Sequence, residues 1–145
     1  MVKLIPMQQE DFEIFLERGI REYAADHVRN GNWLAEGSLE RSKREFEQLL
    51  PEGIHSKNQF LFTIMDETGD DKIGTLWVQV KNQKAFIYDF IIEESLRGKG
   101  YGKQALMALD EKLKSMNVES VGLHETTLLR RNCIRKWGFK SQALT

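Results

Sequence analysis

The stretch that most constrains this chain is Leu96-Arg97-Gly98-Lys99-Gly100-Tyr101-Gly102-Lys103. An apolar run, Ala85-Phe86-Ile87-Tyr88-Asp89-Phe90-Ile91-Ile92, leads into it, and an amphipathic pattern over 100–116 leads out. A strand, a glycine-rich turn and a helix in that order form a layout for holding an anion. The first N–H groups of a helix have no partner within it, and its dipole places partial positive charge at that end. Glycines let an anion come close to the backbone, and Arg97, Lys99 and Lys103 add charge. The residues read as a phosphate or pyrophosphate cradle. The plainer reading is a glycine-rich surface turn with basic residues for solubility.

Spacing removes two familiar phosphate loops. A Walker loop requires G-x-x-x-x-G-K-[ST], but Lys103 is followed by Gln104 and the glycines lie too close together. A dinucleotide fingerprint requires G-x-G-x-x-G, and glycines at 98, 100 and 102 do not match it.

The remainder of the chain supplies a sheet for this turn. A short strand over 2–7 is stopped around Pro6, and a helix spans 8–30. Phe12, Phe15, Leu16, Ile20, Tyr23, Ala24 and His27 recur at steps of three and four along that helix, which puts them on one face. Gly19 is a weak point inside it. After a turn over 30–34, Ser38 reads as the N-cap of a second helix with Leu39, Phe46, Leu49 and Leu50 as its stripe. Strands follow over 59–65, 72–80 and 84–92, joined by the polar connection 66–71 and a turn at 81–83, which makes an antiparallel meander. The helix over 100–116 turns Ala105, Leu106, Leu109, Leu113 and Met116 inward, and a strand over 118–124 returns parallel to the one at 84–92. The fold class is α/β: a mixed, mostly antiparallel central sheet flanked by helices, with a β-α-β unit carrying the cradle.

Composition sets outer limits. At 145 residues there is room for one domain, 1–145, with a proper core. A net charge of −1 argues against a broad nucleic-acid surface. No apolar run is long enough to cross a membrane, and 1–6 lack the core of a signal peptide. The single cysteine, Cys133, excludes an internal disulfide, so the cytoplasm is the default location. His55 and His124 have no partner at metal-ligand spacing, and no metal is expected.

Arg97-x-x-Gly100-x-Gly102 resembles the (Q/R)-x-x-G-x-(G/A) motif of the GNAT superfamily of acetyl-CoA-dependent N-acetyltransferases. The order of elements fits that superfamily over nearly the whole chain, while specific motif matching covers 85–103 and Trp137-Gly138-Phe139. The resemblance implies acetyl-CoA as cosubstrate, with its pyrophosphate on Arg97, Gly98, Lys99, Gly100, Tyr101 and Gly102, Lys103 nearby, and its pantetheine arm along Phe90, Ile91 and Ile92. The implied reaction is direct attack of a primary amine, in a small molecule or a peptide, on the thioester. Asp89 is the candidate base, as the only carboxylate within the apolar strand; burial there would raise its pKa. Two-residue alternation puts Tyr88 on the opposite face. Tyr23, His27, Trp33 and Trp77, with Glu22, are the candidates for the substrate side; each also has a plainer reading, Tyr23 and His27 as a partly buried pair on the core-facing stripe, Trp33 as a cover for the core and Trp77 on either face of its strand.

The superfamily pattern also expects an Asn and then a Tyr four residues before a Gly-Phe pair. Ile134 occupies that Tyr position, and 125–135 departs from the pattern throughout. Three accounts fit: the acid is Tyr101 or water; the chain is a non-catalytic acyl-CoA-binding or sensing module; or 125–135 is read in another frame that is restored before Trp137. A general phosphate-binding domain sharing only the cradle is a further alternative. The absence of a final strand beyond 140–144 leaves an open edge that favours a homodimer.

Overall fold

A computed structural model of the chain describes residues 1–123. In order, the described elements are β1 (Lys3–Pro6), α1 (Gln9–Arg29), α2 (Ser38–Leu49), β2 (Gln59–Met65), β3 (Lys72–Lys81), β4 (Lys84–Ile92), α3 (Tyr101–Ser115) and β5 (Ser120–Leu123). The segments expected at 125–135 and 140–144 lie outside the described residues. The chain divides into two compact units, Gln8–Gln59 and a unit combining Met1–Met7 with the described chain from Phe60 onward.

The second unit is built on a five-stranded sheet in the order β1-β2-β3-β4-β5. β1 runs antiparallel to β2, β3 antiparallel to β4, and β4 parallel to β5. This is the expected meander followed by a β-α-β crossover. Asn82 (φ 53) and Gln83 (φ 65) make the β3–β4 turn, and Lys81 pairs with Lys84 across it. Two left-handed residues in a two-residue loop match the twist of the flanking strands. α3 covers one face of the sheet. Its Ala105, Leu109 and Leu113 form one core with Phe62, Ile64, Leu76, Val78, Ala85, Ile87, Phe90 and Ile92.

Along β4 the core positions change from odd (Ala85, Ile87) to even (Phe90, Ile92). A regular strand cannot do this, because its side chains alternate. The cause is a bulge: Trp77 pairs with Asp89 but Val78 pairs with Ile87, so Tyr88 is the extra residue. This corrects the expectation that Tyr88 and Asp89 point to opposite faces. Trp77 lies opposite Asp89, and its indole also stacks on the Tyr88 ring at 4.9 Å between centroids.

The unit Gln8–Gln59 is a pair of helices. Gly19 proves to be a contact point as well as a weak one: a Cβ there would lie 3.1 Å from the Phe46 ring of α2. Close by, the fully buried Ser42 hydroxyl donates to the Ile20 carbonyl at 2.7 Å. Two expectations for α2 are corrected. Gly37, at φ 78, takes the N-cap position, and Ser38 is the first helical residue, with its hydroxyl donating back to Ala35. Leu39 is exposed, and Ser42 and Phe46 are the buried residues of the helix. Among the described residues no helix is long and apolar enough to cross a membrane.

Candidate functional site

The cradle runs from the end of β4 into α3. Gly98 (φ +79) and Gly100 (φ +87) are left-handed, and Lys99 between them is not. A left-handed residue next to a right-handed one can gather successive N–H groups into a hollow suited to an anion. Glycine is required here by conformation and not by crowding. A Cβ on Gly98 would meet nothing within 4 Å, and one on Gly100 only the tip of Gln104, at 4.0 Å. Gly100 is also the N-cap of α3 and no side chain caps that helix, so its first N–H groups border the same hollow. Lys99 and Lys103 are exposed beside it, while Gly102 is buried.

Arg97 is exposed and also makes a contact at the turn. Its Nε donates to the Ile92 carbonyl at 2.9 Å, which ties the cradle to the end of β4. Tyr101, a candidate acid, packs partly buried against the core under α3.

Phe90, Ile91 and Ile92 divide by face. Phe90 and Ile92 belong to the core beneath α3, at 2% and 4% exposure. Two of the three side chains therefore serve the core, and what those two residues can offer a ligand is backbone. β4 pairs with β5 over Lys84–Ile87, and the described part of β5 ends opposite Ile87.

Asp89 is buried, 9% exposed, immediately after the bulge, with Trp77 opposite it. The side chain therefore does not face open solvent. Sequence reasoning found Asp89 and Trp77 separately but not their pairing, since nothing in the alternation of β4 marks Tyr88 as the extra residue.

Tyr23, His27 and Trp33 come together in the helical unit, whereas Trp77 lies in the sheet unit. The His27 ring stacks on Trp33 at 4.2 Å, and Tyr23 meets both edge-on at 4.5 and 5.4 Å. The Tyr23 hydroxyl donates to Glu45 Oε1 at 2.7 Å, and the Arg41 guanidinium covers Trp33 at 4.4 Å. Sequence reasoning did not include Arg41 and Glu45 in this group. Their i,i+4 spacing on a charged helix face gave no sign of an aromatic partner.

Among the described residues, then, a five-stranded mixed sheet with a bulged fourth strand leads into a glycine-rich turn at a helix N-terminus, an α/β arrangement. Residues 15–139 match the family model described as the acetyltransferase (GNAT) family, and the chain belongs to that family. Over 128 residues it is 40% identical to the uncharacterized N-acetyltransferase YycN of Bacillus subtilis, covering 85% of this chain and 81% of that protein. The crystal structure of YycN superposes with a TM-score of 0.86 at 35% identity, over 100% of this chain and 96% of the other. A predicted acetyltransferase of Clostridium acetobutylicum, solved with acetyl-CoA, shares the fold at TM-score 0.59 and 15% identity, over 100% and 94% of the two chains.

Proposed function

We propose that this chain transfers an acetyl group from acetyl-CoA to a primary amine by direct attack, with Asp89 as the base. The observation that carries this reading is the sequence of features along one segment. A buried carboxylate follows the bulge of β4, and that strand ends in a left-handed glycine cradle at the uncapped N-terminus of α3. Acetyl-CoA as cosubstrate is supported by membership of the family and by the neighbour solved with it.

The residues present fit that cosubstrate. Gly98, Lys99, Gly100, Tyr101, Gly102 and Lys103 would hold the pyrophosphate through backbone N–H groups and two exposed ammonium groups. Arg97 anchors the cradle to the carbonyl end of β4. The backbone of Phe90, Ile91 and Ile92 would receive the pantetheine amides as an added strand would. Acetyl-CoA supplies the thioester carbon that the amine attacks. The N–H of Phe90 or of its neighbour would polarise the thioester carbonyl. Asp89, directly or through water, takes the proton that the nitrogen loses as the C–N bond forms; the C–S bond breaks, and coenzyme A leaves as a thiolate that takes up a proton from Tyr101 or water. Trp77, opposite Asp89, would border the amine.

The test is calorimetric titration with acetyl-CoA, coenzyme A and ATP, followed by thiol release in the presence of ethanolamine, spermidine, glucosamine and a lysine-containing peptide. The expected result is binding of the two CoA species but not ATP, with thiol release for at least one amine. No CoA binding overturns the reading. Tight CoA binding without thiol release indicates an acyl-CoA-binding module instead.

A further inference from the structure

Thr75 lies in the regular part of the β3–β4 pairing, opposite Ile91, and Trp77 lies opposite Asp89. Between them, Leu76 and its partner Phe90 belong to the core beneath α3. Alternation therefore puts Thr75, Trp77, Asp89 and Ile91 together on the other face of the sheet. Thr75 is a diagonal neighbour of Asp89, at about 7–8 Å between backbones.

The Thr75 Oγ1 is buried and has no hydrogen-bond partner among the described residues. Thr63 on the adjacent strand β2 is in the same condition, at 3% exposure. Its neighbours Phe62 and Ile64 belong to the α3-side core, so Thr63 faces the same way as Thr75. Buried hydroxyls are nearly always partnered, because leaving one unmet costs free energy. Valine would satisfy the strand equally well without that cost.

We propose that Thr75 is a positioning residue for the acceptor: its hydroxyl accepts one N–H of the attacking primary amine while Asp89 accepts another. This deepens the amine-acetylation reading and rests on it. The nitrogen of a primary amine has enough N–H groups to donate to both oxygens at once, leaving its lone pair directed at the thioester. An alcohol has a single O–H and cannot meet both, so the pair selects nitrogen over oxygen. Thr75 takes no proton itself; the N–H it holds remains on the nitrogen.

The experiment compares wild type, Thr75→Val and Thr75→Ser in the full chain, using whichever of the four amines above gives the fastest thiol release. For Thr75→Val, kcat/KM for that amine should fall about tenfold, the equivalent of one hydrogen bond. The loss should be carried by KM for the amine, with KM for acetyl-CoA unchanged, and Thr75→Ser should recover activity to within about twofold. The melting temperature of Thr75→Val should equal or exceed that of wild type, because the unmet hydroxyl is gone. A structural hydroxyl gives the opposite pattern, with a lower Tm and a lower kcat at constant KM, and that result overturns the proposal. Wild-type kinetics in Thr75→Val overturn it alone and leave the acetyltransferase reading intact. No thiol release by wild type with any of the amines overturns both.

Discussion

Trp77 stands opposite Asp89 across the β3–β4 pair, and the register slips by one residue directly after them. That slip lets β4 serve two purposes. Ala85 and Ile87 before it, and Phe90 and Ile92 after it, all reach the core beneath α3, while Asp89 stays on the other face beside Trp77. The extra residue, Tyr88, has its ring against the Trp77 indole and not in the core. Bulges bend a strand and re-aim side chains, and they are common beside active sites.

Deletion of Tyr88 is therefore expected to spare the fold and harm the reaction. Without it, Ile87, Asp89 and Phe90 alternate regularly and every core residue of β4 keeps its face. Far-UV circular dichroism and cooperative urea unfolding should persist, and thiol release should be lost. An active deletion would mean that the bulge has no part in the chemistry.

Asp89→Asn keeps size and removes the base. Thiol release should fall about 10²-fold or more, the usual contribution of a positioned general base. Calorimetric affinity for coenzyme A should not change, since the cradle is separate from this side chain. A drop of less than threefold would remove Asp89 from the role.

At the cradle, Gly100 combines a left-handed backbone with open space, where a Cβ would find only Gln104, at 4.0 Å. Gly100→Ala should cost about 1–2 kcal/mol of strain, read as a lower urea midpoint. Gly100→Glu adds a carboxylate where the pyrophosphate is proposed to sit, and should abolish coenzyme A binding. Unchanged affinity in Gly100→Glu would displace the pyrophosphate from this turn.

Gly74 is the reverse case, required for space and not for conformation. A Cβ there would fall 2.0 Å from the carbonyl oxygen of Ile91, on the strand that ends in the cradle. Backbone cannot rotate away as a side-chain tip can. Gly74→Ala should destabilise by about 3 kcal/mol, at the upper end for an overpacked site. Gly69→Ala, at φ +81 with nothing within 4 Å, should lose only about 1 kcal/mol. Urea unfolding of both variants checks the contrast.

Most of the sheet was legible because its signals are local. Residues 59–65 and 84–92 alternate or run apolar between turn residues, and β2 and β4 fall on those bounds. The turn ahead of α3 was legible because closely spaced glycines between a strand pattern and a helix pattern mark a tight change of direction. What escaped depends on pairing. A bulge at Tyr88 cannot be seen in a run that, Asp89 apart, is apolar on both faces. Gly19 reads as a weak point until Phe46 is packed against it. Thr75 looks like any strand threonine until its hydroxyl is found buried without a partner.

Asp66 provides a pH prediction with a definite sign. It opens the β2–β3 connection, where its Oδ1 accepts from the N–H of Asp70 at 3.0 Å and of Asp71 at 3.2 Å, and from the Thr68 hydroxyl at 2.9 Å. Its own N–H donates to the Asp71 carbonyl at 3.0 Å, which closes the turn. The backbone N–H of Asp71, foremost among these donors, holds the Asp66 carboxyl below its ordinary value of 3.8. A lowered pKa means that the unfolded chain binds this proton more readily than the folded one, so stability rises with pH across the interval. The contribution is complete above about pH 3.8 and disappears as pH falls through the lower folded value. The Asp66 carboxyl resonance should titrate with a midpoint below 3.8 in the folded chain. The gap in urea midpoint between wild type and Asp66→Ala should narrow as the pH is taken below that point. A gap that stays constant from neutral pH to pH 3 would mean that the turn does not depend on the charge of Asp66.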